Sequence, residues 1–175
     1  EIGVRTIFNI LGPLSSPANA TAQVLGVYRE DLTESLACVL KNLGIKRAFV
    51  VFGRDGMDEI TTTNSTKISE LKDGEIRTYN ITPEEFGLKR VTLSALEGKD
   101  IETNAKIAIE ILQGKRSPGR DIVCLNTSAS LLVGGIAKNI AEGIKIAEES
   151  IDSGNAMKKL KLLKEYSNET KLNFD

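Results

Sequence analysis

The spacing of apolar residues predicts a β-α-β unit in the first third of the chain. The aliphatic run at residues 23–28 is typical of a strand, and the continuous apolar run at residues 47–52 is typical of a strand buried on both faces. Between these runs, apolar residues recur at helical spacing over residues 31–42. Such a connection favours a right-handed crossover, so we expect the two strands to pair in parallel.

A hairpin and a series of helices are predicted after this unit. Residues 67–71 and 75–81 have strand composition, and the Lys-Asp-Gly sequence at residues 72–74 between them indicates a tight turn. Residues 116–120 are predicted to form a loop, and small residues in the later helices allow close helix packing. Four helices are predicted from the apolar periodicity, at residues 104–113, 121–135, 136–150 and 156–166. The pattern as a whole indicates an α/β domain with helices gathered towards its end.

Capping residues indicate where two of these elements begin. Asp31 is predicted to cap the first helix, with Glu34 completing a capping box and Gly44 ending the helix. Thr82 and Pro83 look like the start of another helix, because proline is favoured at the first helical position.

The composition limits the possible functions. The length of 175 residues fits a single domain over residues 1–175. The net charge of −1 gives no positively charged surface field that would indicate nucleic-acid binding. The sequence has no apolar run of the ~18 residues that a membrane span needs, and we expect no secretory leader because no positively charged, apolar stretch precedes the first motif. Cys38 and Cys124 are far apart and are predicted to be reduced and buried, as in a cytoplasmic protein. Glu1 is not a natural initiator, so we expect a chain processed or cut from something longer.

The absence of histidine narrows the chemistry further. Histidine is the commonest general base and metal ligand, so zinc is not expected, whereas Mg²⁺ remains possible because it prefers oxygen ligands. The stretch at residues 51–63 supplies such oxygens from Asp55, Asp58 and Glu59, directly after a predicted buried strand. Ligands of open α/β sheets gather at the carboxyl ends of strands. The alternative is a solvated acidic turn whose side chains cap a neighbouring helix.

Three other features allow two interpretations each. Arg5 lies among apolar residues and could grip an anionic ligand with its planar guanidinium, or form an internal ion pair. Residues 12–19 indicate a turn whose backbone amides could also face a ligand. The NTSAS stretch at residues 126–130 could hydrogen-bond neighbouring loops or serve close helix packing.

Three stretches together resemble the anthranilate phosphoribosyltransferase family. They are GVRTIFNILGPLSSPANA at residues 3–20, GMDEI at residues 56–60, and IAEGIKIAEESIDSGNA at residues 140–156. The first is highly specific to the family, the second is moderately specific, and their order and spacing also fit. The resemblance spans nearly all of the chain.

The resemblance implies a reaction and its site residues. Family members transfer a phosphoribosyl group from phosphoribosyl pyrophosphate (PRPP) to anthranilate in tryptophan biosynthesis, and they need Mg²⁺. By position in the motifs, Arg5 would contact anthranilate, and Asp58 and Glu59 would bind Mg²⁺ held on the pyrophosphate. The implied fold is the large α/β domain of the nucleoside phosphorylase type, with a mixed, largely parallel sheet flanked by helices.

The departures from the family pattern concern its amino-terminal half. The glycine-rich GTGGD loop that binds PRPP, the Lys-, Gly- and Ser-rich segment after it, and the helical domain through which family members usually dimerise have no counterpart here. The chain therefore resembles the carboxyl-terminal half of an enzyme that is a homodimer when intact, and we expect the half alone to be inactive. A pyrimidine nucleoside phosphorylase-like enzyme and a non-enzymatic nucleic-acid-binding relative are the alternatives. The net charge and the retained Asp58–Glu59 pair disfavour the latter.

Overall fold

The computed structural model of the chain describes residues 12–15, 17 and 19–169. In this part the chain forms a four-stranded sheet whose strands lie in the order β1-β2-β3-β4. The strands are β1 (Ala22–Gly26), β2 (Arg47–Gly53), β3 (Thr66–Lys72) and β4 (Glu75–Ile81). β1 and β2 pair in parallel with Val24 opposite Phe49, as the sequence predicts.

The sheet is mixed, as expected, but it is not largely parallel among the described strands. β2 pairs antiparallel with β3, and β3 pairs antiparallel with β4. The physical reason lies in the connections, because a parallel pair needs a long crossover, usually a helix, and only the β1–β2 connection contains one. β3 and β4 are joined by the predicted tight turn, in which Asp73 and Gly74 both have positive φ, at 52° and 80°.

The described helices flank this sheet. They are α1 (Leu32–Asn42), α2 (Ile101–Leu112), α3 (Pro118–Val133), α4 (Ile140–Asp152) and α5 (Asn155–Glu169). The start predicted at Thr82–Pro83 is a short 3₁₀ turn, Pro83–Phe86, in which the Glu85 carboxylate accepts a hydrogen bond from the Thr82 N–H at 2.7 Å.

Two sequence expectations at helix starts are wrong. Asp31 precedes α1 but makes no side-chain cap, because its carboxylate pairs with the Arg29 guanidinium instead. The predicted loop at residues 116–120 is shortened, since the Ser117 side chain accepts a hydrogen bond from the Arg120 N–H and α3 begins at Pro118. Gly44 ends α1 as predicted, with a φ of 85°.

Alternate residues of β2 bury their side chains on opposite faces of the sheet. Ala48 and Val50 join a core cluster with Leu36 and Leu40 of α1. Phe49 and Val51 join the larger cluster, which α3 and α4 cover on the other face. β2 is thus buried on both faces, as its continuous apolar run predicts.

The two cysteines lie in different environments. Cys124 is buried in the larger cluster, as predicted, whereas Cys38 is exposed. The expectation of burial is wrong for Cys38 because α1 turns Leu36, Ala37 and Leu40 towards the sheet.

Helices α3 and α4 are held together by a close approach and by an ion pair. A methyl group built on Gly143 of α4 would lie 2.8 Å from the Cα atom of Ser128 in α3, so the small residues do permit close packing. At the other end of the contact, Asp152 accepts two hydrogen bonds from the Arg120 guanidinium, at 2.6 and 2.9 Å. The Arg120 side chain is only 1% exposed, and its pKa is raised by this pairing.

Candidate functional site

An open groove lies where the carboxyl ends of β1 and β2 meet α3. Its volume is about 440 Å³. It is lined by strand, loop and helix residues, namely Val24, Gly26, Val51, Asp58, Glu59, Val123, Asn126, Thr127 and Ser130. The groove therefore stands at the edge of the sheet where α/β folds bind ligands, as the sequence predicts for the acidic stretch.

The acidic loop, residues 54–65, connects β2 to β3 and carries three carboxylates with different roles. The Asp55 carboxylate accepts hydrogen bonds from the Met57 N–H at 3.0 Å and from the hydroxyls of Thr61 and Thr63. Burial alone would raise the pKa of Asp55, but these hydrogen bonds outweigh it and lower the pKa. Asp55 thus braces the loop from inside and is not free to bind a ligand.

Asp58 and Glu59 are the two carboxylates that face the groove. Both side chains are exposed, and within the described part of the chain no hydrogen bond or ion pair holds either of them. Partial burial and the neighbouring negative charge of Asp58 raise the pKa of Glu59. No group of three potential metal-ligating side chains occurs in the described residues, so a metal at the pair would need further ligands from elsewhere.

Two glycines let the acidic loop approach the sheet. A methyl group built on Gly26, the last residue of β1, would lie 1.7 Å from the Asp58 carbonyl oxygen. One built on Gly53, the last residue of β2, would lie 2.6 Å from the Asp55 carboxylate. The Gly53 N–H also donates a hydrogen bond to the Met57 carbonyl at 2.8 Å. A side chain at either position would push the loop away from the strand ends.

Asn126 of α3 attaches the loop to the opposite wall of the groove. Its side-chain oxygen accepts a hydrogen bond from the Ile60 N–H, and its side-chain nitrogen donates one to the Ile60 carbonyl, both at 2.9 Å. The sequence allows the NTSAS stretch either to hydrogen-bond a neighbouring loop or to serve close helix packing, and Asn126 does the former. Sequence reasoning did not find the partner, because Ile60 and Asn126 are 66 positions apart.

Arg5 lies outside the described residues, and so does most of the stretch around it. The described end of that stretch lies beside β1, where the Gln23 side chain donates a hydrogen bond to the Pro13 carbonyl at 3.1 Å.

Among the described helices, none combines the length and the apolar character that a transmembrane segment requires.

The chain belongs to the glycosyl transferase family, whose a/b domain matches residues 1–157. Its curated relatives include an anthranilate phosphoribosyltransferase from Acetivibrio thermocellus, which is 53% identical over 96% of this chain and 49% of its own length. A second, from Citrifermentans bemidjiense, is 54% identical over 97% of this chain and 48% of its own length. The chain thus spans about half the length of the curated relatives it matches. The resemblance seen in the sequence motifs is confirmed.

Solved structures are similar over the same part. The anthranilate phosphoribosyltransferase from Saccharomyces cerevisiae in complex with PRPP and Mg has a TM-score of 0.81 and 33% identity, covering 91% of this chain and 46% of that one. The enzyme from Thermus thermophilus has a TM-score of 0.80 and 40% identity, covering 89% of this chain and 46% of that one. The predicted α/β class with a mixed sheet is confirmed by these similarities.

Proposed function

We propose that the full-length protein containing this chain transfers the phosphoribosyl group of PRPP to the amine of anthranilate, in tryptophan biosynthesis. The products are N-(5-phosphoribosyl)anthranilate and pyrophosphate. The observation that carries the proposal is the exposed Asp58–Glu59 pair in a groove at the strand ends, within a chain more than half identical to anthranilate phosphoribosyltransferases. The yeast enzyme was also solved with 4-fluoroanthranilate, which supports the choice of acceptor.

The chemistry of the acidic pair fits Mg²⁺. Asp58 and Glu59 offer oxygen donors, and partial burial together with the charge of Asp58 raises the pKa of Glu59, a cost that a bound cation would offset. Two carboxylates are enough for Mg²⁺ when the phosphates of a substrate and waters complete its coordination. The solved complex of the yeast enzyme with PRPP and Mg supports the same ion for this protein.

The reaction breaks the bond between C1 of the ribose and the pyrophosphate oxygen, and the amine nitrogen of anthranilate forms the new bond to C1. Positive charge develops on the ribose and negative charge on the leaving pyrophosphate, which bound Mg²⁺ would neutralise. Asp58 and Glu59 would fix the position of that ion and hence of the leaving group. Arg5 would hold the anthranilate carboxylate through two parallel hydrogen bonds and so aim the amine at C1. The amine is already neutral when it attacks, and the proton that its nitrogen loses as the bond to C1 forms passes to the departing pyrophosphate or to water, so no histidine base is required.

The proposed partners rest on the same resemblance, and the proposed location rests on the expectation of reduced cysteines. We propose that the intact protein is a cytoplasmic homodimer, and that the amino-terminal half of the relatives' length supplies the rest of the PRPP site. The homodimer is tested by the mass of the full-length protein in solution.

The activity is tested with purified full-length protein, anthranilate, PRPP and Mg²⁺, by following the loss of anthranilate and the release of pyrophosphate together. One mole of pyrophosphate should be released for each mole of anthranilate consumed, and the reaction should stop when Mg²⁺ is chelated. Replacing anthranilate and PRPP with a pyrimidine nucleoside and phosphate tests the phosphorylase alternative. Nucleoside cleavage without anthranilate consumption would overturn the proposal.

A further inference from the structure

The loop that carries Asp58 and Glu59 has no helix or strand of its own, so something else must fix it. Its first part is braced by Asp55 and by the close approach to Gly26. After Glu59 the fixation comes from Ile60, whose side chain is 1% exposed and whose two backbone polar groups both bond to the Asn126 amide. The loop is therefore held from the sheet on one side of the pair and from α3 on the other.

We infer that Asn126 is a positioning residue, which sets the orientation of Glu59 and its distance from the wall of the groove that α3 forms. The Ile60 N–H belongs to the peptide group whose carbonyl is that of Glu59, so the bond to Asn126 fixes the peptide plane attached to the Glu59 backbone. Asn126 also lines the groove itself, next to Thr127 on the wall that α3 forms. The inference rests on the proposed function, in which Asp58 and Glu59 hold Mg²⁺.

The primary amide of Asn126 is the group that these contacts require. The amide oxygen must accept a hydrogen bond from the Ile60 N–H. The amide nitrogen must donate hydrogen bonds to two carbonyl oxygens, those of Ile60 at 2.9 Å and of Ile122 at 3.0 Å. An amide has one acceptor and two donors for this purpose. Aspartate has the same shape, but its carboxylate has no donor and would oppose both carbonyl oxygens.

This difference separates positioning from simple packing. If Asn126 only filled space, Asn126→Asp would behave like the wild type and Asn126→Ala would be the worse variant. Under the positioning role, Asn126→Asp is at least as damaging as Asn126→Ala, because it places negative charge against the carbonyls that the amide holds.

The experiment measures two quantities in the full-length protein and its variants. The first is hydrogen exchange of the backbone amides at residues 57–61 without substrate, and the second is the Mg²⁺ concentration that gives half-maximal transfer. For Asn126→Asp we expect faster exchange in this segment and about a tenfold or larger increase in the half-activating Mg²⁺ concentration, as for other residues that hold metal ligands in place. Maximal turnover should recover in part at high Mg²⁺.

Leu132→Ala is the matched control, because Leu132 lies in the same helix, is 6% exposed and belongs to the same core cluster as Ile60, but its side chain makes no hydrogen bond to the acidic loop. It should lower the melting temperature at least as much as Asn126→Asp while leaving the half-activating Mg²⁺ concentration within about twofold of the wild type. Equal Mg²⁺ shifts in both variants, or wild-type exchange and Mg²⁺ dependence in Asn126→Asp, would overturn the inference. A wild-type protein without transfer activity would instead overturn the proposed function, and the inference with it.

Discussion

The Cα atom of Gly26 faces the carbonyl oxygen of Asp58 so closely that a β-carbon at Gly26 would come within 1.7 Å of that oxygen. The last residue of β1 thus determines how near the acidic loop can lie to the sheet. The contact is to backbone, which cannot rotate away as a side chain could. The position of Asp58 in the groove therefore depends on glycine at residue 26.

Gly26→Ala is expected to displace the acidic loop and to lower turnover of the full-length protein by about 100-fold, because misplacement by ~1 Å can cost that much. The melting temperature should also fall, since overpacking typically costs about 1–3 kcal/mol. Gly119→Ala is the control, because the nearest atom to its new methyl group is the flexible end of Ile111 at 3.3 Å. Wild-type turnover in Gly26→Ala would show that the loop position is unimportant.

Replacing both Asp58 and Glu59 with alanine should remove activity and leave stability almost unchanged. We expect turnover to fall at least about 100-fold, because the negative charge on the leaving group is no longer balanced. The free energy of unfolding should change by no more than ~0.5 kcal/mol, since both side chains are exposed and unpaired in the described structure. Kinetic assays over a range of Mg²⁺ concentrations and urea denaturation measure the two effects.

A matched double variant controls for the lost charge. Glu149→Ala with Glu165→Ala removes two exposed carboxylates from α4 and α5, away from the groove. It should have wild-type kinetics. Similar kinetics for both double variants would remove the acidic pair from the site.

Arg5→Lys is expected to weaken anthranilate binding selectively. Lysine keeps the charge but loses the planar fork that makes two parallel hydrogen bonds with a carboxylate. The KM for anthranilate should rise about tenfold, whereas the KM for PRPP should change little. Steady-state kinetics with each substrate varied in turn test this, with Arg29→Lys on the exposed Arg29–Asp31 pair as the control. An equal rise in both KM values would contradict the assigned role.

The Arg120–Asp152 ion pair is expected to make stability depend on pH. Hydrogen bonds from Arg120 hold the pKa of Asp152 below its ordinary value. A carboxyl whose pKa is lower in the folded state stabilises the fold above its unfolded pKa of about 3.9, and this contribution is lost as the pH falls through the lowered value. Asp152→Asn should therefore be less stable than the wild type at neutral pH, because it leaves the buried Arg120 charge without its partner.

Urea midpoints of both proteins between pH 7 and pH 3 measure this effect. The difference between wild type and Asp152→Asn should stay constant from pH 7 to about pH 5 and shrink only below that, as Asp152 takes up a proton. Glu165→Gln, an exposed change on α5, should follow the wild-type curve throughout. A constant difference across the range would show that the charge on Asp152 does not contribute.

Local patterns in the sequence were enough to predict most of the elements. The β-α-β unit followed from hydrophobic periodicity, and the hairpin followed from Asp73-Gly74, whose positive φ angles few other residue pairs adopt. The largely parallel sheet that the resemblance implies is not seen among the described strands, because β2 and β3 are joined without a crossover helix and pair antiparallel. The predicted cap at Asp31 does not form, because the guanidinium of Arg29, two residues earlier, binds the carboxylate that would otherwise accept a hydrogen bond from the helix backbone.

The candidate site was predictable in part. The acidic stretch could be placed at a strand end, and the position of Asp58 and Glu59 in a groove agrees with this. Residue type and spacing alone did not separate Asp55 from the other two carboxylates, which only the resemblance of GMDEI to the family motif singled out. The role of Asp55 depends on how the loop folds back to bring Thr61 and Thr63 against it. The partner of Asn126 depends on tertiary packing and has no local signal.

The two attachments of the acidic loop also limit its length. Asp58 is confined by Gly26, and Ile60 is fastened to Asn126, so Glu59 alone spans the interval between them. One inserted residue there would have no room except outward into the groove, whereas the Asp73-Gly74 turn at the far end of the sheet has open space around Gly74. Homologous proteins should accordingly vary in chain length at the hairpin and keep a single residue between the two fixed points of the loop.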